Sequence, residues 1–166
     1  MLKELQILSI FDVIEGNYTE KFKEYDIISI RDTGTNNLYK LLDSQLKRNI
    51  CKSYKVWQFD DIISREPLKK LVEYNDIVDI LNFAKDKEKL IVHCNMGVSR
   101  SSACAFLIKY AECLNSKEAL DILNRYIHNP NHLIIELGSK ILNAPQLSSD
   151  ILEFKRGILQ LPWDKY

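Results

Sequence analysis

The chain has 166 residues, 46% of them hydrophobic, enough for one domain with a real core and too apolar for a disordered chain. Its 23 basic and 23 acidic residues cancel, so no overall field draws it to nucleic acid or to an anionic membrane, and neither is expected as a partner. No apolar run reaches the length of about 18 residues that a membrane span needs, and the start Met1-Leu2-Lys3-Glu4-Leu5 lacks the apolar segment of a secretory signal. The 4 cysteines have neither metal-ligand spacing nor the density of a disulfide framework, which points to a reducing, cytoplasmic location.

In chain order, short β-branched and apolar runs predict strands at Leu5–Ile10, Asp26–Ile30, Tyr54–Phe59 and Lys89–Val92. Leu38, Leu41, Leu42 and Leu46 form a helical stripe between the second and third. Leu71, Tyr74, Val78 and Leu81 form another, opened by Pro67 at a favourable first-turn position. The pairs Lys47-Arg48 and Lys69-Lys70 fall on the solvated faces of these predicted helices. Downstream the pattern is helical: Ala103, Leu107, Tyr110 and Leu114, then Ala119, Ile122, Leu123 and Tyr126 after a Ser116 cap, then Pro130 toward Asn143, closed by Ala144-Pro145. Cys104 and Cys113 lie on the first of these helices as small core residues. Ser148-Ser149-Asp150 starts a last helix carrying Ile151, Phe154 and Ile158, so residues 146–166 read as a docked helix or a partner-binding tail. Alternating strands and helices predict an α/β fold: a central, mainly parallel sheet of four to five strands, flanked on both faces, with a helical C-terminal half. Sites in such sheets lie at the carboxyl ends of the strands.

The chemistry concentrates at His93-Cys94-Asn95-Met96-Gly97-Val98-Ser99-Arg100-Ser101, between the fourth strand and the next helix. Strand, tight loop and helix N-terminus turn backbone N–H groups and a partial positive charge onto one oxyanion, and Gly97 supplies the freedom such a curl requires. In that setting Cys94 is expected as a thiolate, a competent nucleophile toward phosphorus. The planar fork of Arg100 suits two phosphate oxygens side by side. The plainer alternative is an inert, buried cysteine at a strand end.

His-Cys, five residues, Arg and then Ser resembles the signature of the cysteine-dependent protein tyrosine phosphatase superfamily, and the short chain is most similar to its dual-specificity branch. Pro130-Asn131-His132-Leu133-Ile134-Ile135-Glu136-Leu137 resembles the Pro-Asn element that opens a late helix in that branch, with Ile134 and Glu136 where the family favours Phe and Gln. The resemblance covers about Tyr54 to Leu137; the first fifty residues match only in the order of their elements. It implies one phosphatase domain over residues 1–166, with no cofactor and no metal. Asn95, Met96, Gly97, Val98, Ser99 and Arg100 would bind the substrate phosphate.

The resemblance also implies an aspartate on a mobile loop, some thirty residues before the cysteine, as proton donor to the leaving oxygen. Asp61, 33 positions before Cys94, is the first candidate and Asp60 the alternative. Ser101 takes the place of the family hydroxyl that stabilises the departing cysteine, and also reads as a helix N-cap. His93 takes the place of the histidine that orients the loop and tunes the thiolate. Arg31 and Asp32 follow a strand end and either line the pocket mouth or are simply solvated.

The expected partner is a phosphorylated protein or another phosphomonoester. Inositol-lipid phosphatases usually carry basic residues inside the loop, whereas Asn95, Met96, Val98 and Ser99 are uncharged. Phosphotyrosine comes first, because a thiolate at the bottom of a cleft favours a long phenyl ester. Phosphoserine or phosphothreonine, RNA 5′ phosphates, inositol phosphates, a silent phosphate-binding module and rhodanese-type sulfur transfer are the alternatives. Nothing in the sequence specifies an oligomeric state.

Overall fold

The computed structural model describes residues 1–18, 21–34, 36–48 and 51–159. Four strands, β1 (Glu4–Ser9), β2 (Asp26–Arg31), β3 (Ser53–Gln58) and β4 (Lys89–Cys94), form a sheet in the order β1-β4-β2-β3, and each pair is parallel. The predicted strands recur within one or two residues. β2 and β4 lie in the middle and are buried along almost their whole length, which is why they read as continuous apolar runs. The edge strand β3 exposes Tyr54, Lys55 and Gln58.

Side-chain alternation on the central strands divides the core into two layers. Ile27 and Ile91 face α1 (Ile10–Tyr18) and α2 (Asn37–Leu46), where they meet Val13, Ile14, Tyr39, Leu42 and Leu46. Ile28, Ile30, Leu90 and Val92 face the larger layer of α3 (Tyr74–Ala84), α4 (Arg100–Cys113), α5 (Ser116–Leu120), α6 (His132–Ile141) and α7 (Gln146–Leu159). The strand order explains the split. Two successive connections run one way across the sheet and the third runs back, so right-handed crossovers place α3 on the opposite face from α1 and α2.

Three expectations about helices need correction. α3 begins at Tyr74, not at Pro67: Asp76 Oδ2 accepts the Glu73 N–H at 2.9 Å and caps the helix there. Pro67 instead starts a turn in which Lys69 N donates to Glu66 O and Leu68 takes φ 63°. Proline at the second position with positive φ at the third is the type II pattern, as natural for proline as a helix start. Lys69-Lys70 therefore sits on this exposed loop rather than on a helix, while Lys47-Arg48 closes α2. The helix face buried on α3 is Ile77, Ile80 and Ala84, and Tyr74 is exposed.

Farther on, α5 is capped by Asn115, whose Oδ1 accepts from Lys117 N and Glu118 N, rather than by Ser116. It ends at Leu120, so Tyr126 lies outside it and is exposed. α7 starts at Gln146, directly after Pro145, and buries Leu147, Ile151 and Phe154 against the α5 and α6 side; the side chain of Ile158 lies outside the described residues. Cys104 is buried in the core of α4, whereas Cys113 is only partly covered. Among the described residues no helix is long and apolar enough to cross a membrane.

Candidate active site

Cys94 ends β4 and Arg100 begins α4, so the loop between them hangs from the carboxyl edge of the sheet. Gly97 takes φ 73°, and a Cβ there would stand 2.8 Å from the backbone of both Leu8 and Ser9. Only glycine lets the loop curl this tightly against the end of β1. The curl is pinned on both sides. Ile10 N donates to Asn95 O at 3.2 Å, and Ser102 Oγ donates to Val98 O and Ser99 O at 2.5 and 2.9 Å. Asn129 N and Asn131 N donate to Val98 O and Ser99 O, so the chain before α6 also braces the loop.

Within this loop the Cys94 thiol is only 3% exposed and its Sγ lies 3.2 Å from Ser101 Oγ. That contact corrects the capping reading of Ser101: the N-cap of α4 is Ser99, and Ser101 lies inside the helix with its hydroxyl on the sulfur. Arg100 is buried beneath the loop. Nη1 donates to Phe59 O at 2.8 Å and pairs with Asp32 Oδ1 at 2.7 Å, while the buried Nε has no hydrogen-bond partner among the described residues.

The two candidate acids lie side by side in sequence and in different surroundings. Asp60 is buried and its carboxylate is fully engaged. Oδ1 accepts from Thr33 N at 3.1 Å; Oδ2 accepts from Thr33 Oγ1 at 2.7 Å and Lys70 N at 2.8 Å. Burial pushes its pKa up, but the bonds from Thr33 and Lys70, together with the Arg100 charge, prevail and hold it below the usual carboxylate value. Asp60 N also donates to Lys70 O at 2.8 Å, so Asp60 closes the neck of an exposed loop over residues 61–70. Asp61 is exposed just inside that neck. Its Oδ1 accepts from Ser99 Oγ and Asn131 Nδ2, both at 2.8 Å, which ties it to the phosphate loop and to the start of α6.

His93 is fully buried behind the cysteine, with Nδ1 3.4 Å from Cys94 O and no partner on Nε2 among the described residues. A carbonyl neighbour assigns the proton to Nδ1. Burial pushes its pKa down to about 4, with the charges of Arg31 and Arg100 acting in the same direction, so the ring is neutral at pH 7.

Residues 1–138 match the family described as dual specificity phosphatase, catalytic domain. The chain belongs to this family. The match reaches back through the first fifty residues, where the sequence by itself shows only the matching order of elements. Similar solved structures include PTPMT1 in complex with PI(5)P, with 11% identity over 92% of this chain and 91% of that one and a TM-score of 0.52. PTPMT1 alone gives 11% identity, 94% and 92% coverage and a TM-score of 0.51. The human tyrosine phosphatase-like serine/threonine/tyrosine-interacting protein gives 18% identity, 76% and 81% coverage and a TM-score of 0.49. At these identities the two PTPMT1 structures speak for the fold alone. Among curated proteins none matches this chain in sequence.

The structure of this dual-specificity phosphatase domain brings His93, Cys94, the loop 95–99, Arg100, Ser101 and Asp61 to one edge of the sheet. It also adds residues that the sequence did not single out for a role. Asn131 caps α6 through Ile134 N and at the same time holds Asp61; the Pro130-Asn131 pair was the only signal pointing to it. Thr33 and Tyr39 carried no signal, being an ordinary loop threonine and a helix aromatic. Arg31 and Asp32, noted only as following a strand end, separate. Arg31 is buried between Ser29, Asp43 and the Tyr39 ring, and Asp32 reaches the site through Arg100.

Proposed function

We propose that this phosphatase hydrolyses phosphate monoesters, phosphotyrosine in proteins first and phosphoserine or phosphothreonine second, through a phosphocysteine on Cys94. The sulfur attacks phosphorus in line as the bond to the leaving oxygen breaks, and Asp61 gives that oxygen its proton. Asp61 then takes a proton from the water that attacks the phosphocysteine. The S–P bond breaks, inorganic phosphate leaves, and the Ser101 hydroxyl stabilises the returning thiolate. Arg100 and the amides of residues 95–99 hold the phosphoryl oxygens through both steps. His93, neutral and bonded toward the Cys94 carbonyl, orients the loop without touching substrate.

One observation carries this reading: a thiol 3.2 Å from a serine hydroxyl, at the mouth of a helix whose first residue is a buried arginine with no partner on Nε among the described residues. Asp61 takes the acid role in preference to Asp60, because both oxygens of Asp60 are already committed to the neck of the loop, whereas Asp61 Oδ2 accepts no bond among the described residues. PTPMT1 binds PI(5)P in its solved complex; here the absence of a basic residue between Cys94 and Arg100 favours a protein phosphoester over an inositol phosphate. A catalytic thiol requires a reducing compartment such as the cytoplasm. Of the tail expected over residues 146–166, α7 belongs to the same domain in this reading, docked through Leu147, Ile151 and Phe154; residues 160–166 lie outside the described residues.

The deciding assay is release of phosphate from para-nitrophenyl phosphate, expected to proceed in chelator and to stop with vanadate. Cys94→Ser is expected to fall to background while still binding phosphoester; substantial turnover by that variant rejects the nucleophile. A panel of phosphopeptides, phosphoinositides and 5′-phosphorylated RNA then ranks substrates, and preference for either of the last two overturns the protein assignment.

A further inference from the structure

Asp32 touches no reacting atom in the proposed chemistry, yet it is built into the site from three sides. Its Oδ1 pairs with Arg100 Nη1 at 2.7 Å, its Oδ2 accepts from Asn95 Nδ2, and its backbone N–H donates to Tyr39 OH at 2.9 Å. Tyr39 OH donates in turn to Asn95 Oδ1 at 2.6 Å. Asp32, Asn95 and Tyr39 thus close a ring of hydrogen bonds between the end of β2, the phosphate loop and α2. The Tyr39 ring is itself covered by the Arg31 guanidinium at 5.2 Å, and Arg31 Nη2 is anchored on Asp43 of α2 at 2.7 Å.

The partners of Arg100 give this ring its consequence. Nη1 is engaged twice: it donates to Phe59 O at 2.8 Å and forms an ion pair with Asp32 Oδ1 at 2.7 Å. Both of these partners belong to the protein and hold Nη1 in place. The opposite edge of the planar group carries Nε and Nη2, and Nε is buried with no partner among the described residues. That edge is the one with bidentate geometry left to offer. Resting on the phosphatase reading above, we propose that Asp32 is a positioning residue for Arg100: it fixes Nη1 so that the Nε and Nη2 edge faces the transferring phosphoryl group.

The test is a double-mutant cycle on para-nitrophenyl phosphate turnover, using wild type, Asp32→Ala, Arg100→Ala and the double variant, with vanadate inhibition and thermal unfolding beside it. Misplacing a catalytic group by about 1 Å costs about a hundredfold, so Asp32→Ala is expected to lower kcat by tens of fold while KM stays within about threefold. The loss should be equal for good and poor leaving groups, because Arg100 grips the phosphoryl oxygens and not the departing one. Adding Asp32→Ala to Arg100→Ala should cost nothing more. Asp32→Asn keeps an accepting oxygen and should recover part of kcat; it replaces the alanine variant in the cycle if that one does not fold. The same loss on both backgrounds, an unchanged kcat, or tighter vanadate binding with a raised kcat/KM each overturns the role, the last by making Asp32 a competing anion. Failure of the wild type to release phosphate would sink the phosphatase reading itself, whereas full kcat in Asp32→Ala beside an active wild type and an inert Cys94→Ser overturns the positioning alone.

Discussion

Two loops leave the carboxyl edge of the sheet side by side, one largely buried and braced along its length, the other exposed and fixed at its neck. The phosphate loop after β4 is short and buried at Cys94, Gly97 and Arg100. It is held from nearby by the Ser102 bonds to Val98 O and Ser99 O and the Ser101 contact to Cys94, and from distant parts of the chain by Ile10, Asp32, Tyr39, Asn129 and Asn131, which bond to residues 95–99. The acid loop after β3 exposes residues 63–70 without interruption, including Ile63 and Leu68. It is fixed at its neck by Asp60 and at Asp61 by Ser99 and Asn131, which stand 38 and 70 positions away. The cysteine loop is braced by neighbours and by distant residues alike, whereas the Asp61 carboxylate is placed, among the described residues, only by distant ones. The adjacent aspartates divide accordingly, Asp60 as the latch of the neck and Asp61 as the exposed carboxylate beside the cysteine loop.

The sharpest way to break this comparison is at the cradle. Arg100→Lys is expected to lower kcat by about a thousandfold or more, within the range for arginine that stabilises phosphoryl transfer, because an ammonium cannot satisfy Phe59 O and Asp32 while presenting a planar edge. Steady-state kinetics would show it, and a mild loss means that the loop does not grip phosphate as proposed.

Next comes the acid loop itself. Asp61→Ala is expected to lose about a hundredfold with poor leaving groups and much less with activated aryl phosphates, which depart without a proton. A leaving-group series on both alanine variants separates the two aspartates: the same dependence appearing in Asp60→Ala alone transfers the role to Asp60.

A smaller effect sharpens the latch. Asp60→Asn keeps the shape but cannot accept all of the bonds from Thr33 and Lys70, and is expected to lower stability by about 2 kcal/mol and kcat by about tenfold. Limited proteolysis should move to residues 61–70, and wild-type cleavage there would show that Asp60 does not close the neck.

The mildest effect concerns pH and lies behind the cradle. His93 has a pKa of about 4 in the folded protein against an ordinary 6.5, so between those values the unfolded chain takes up a proton that the folded one refuses. Stability therefore falls as pH drops from about 6.5 toward 4, by as much as about 3 kcal/mol. Asp60, held below its ordinary 3.8, adds a further loss only at lower pH. Urea midpoints at pH 7 and 4.5 measure the first window, and His93→Gln should flatten it; an unchanged slope in that variant assigns the loss elsewhere.

The sequence by itself located the four strands, the two-sided α/β arrangement with a mainly parallel sheet, and the cysteine loop at the end of the fourth strand. Each of these is written in adjacent residues: apolar runs such as Leu90-Ile91-Val92, and Cys94, Gly97, Arg100 and Ser101 at fixed local spacing. It misplaced the start of α3, because proline suits a helix opening and a type II turn equally well, and only the Asp76 cap on Glu73 decides between them. Tertiary structure alone decided that Asp60 is the latch and Asp61 the exposed carboxylate, that Asp32 meets Arg100, and that Asn131 holds the acid loop. Those outcomes depend on partners 10 to 70 positions away, and a carboxylate's environment is a property of what folds around it.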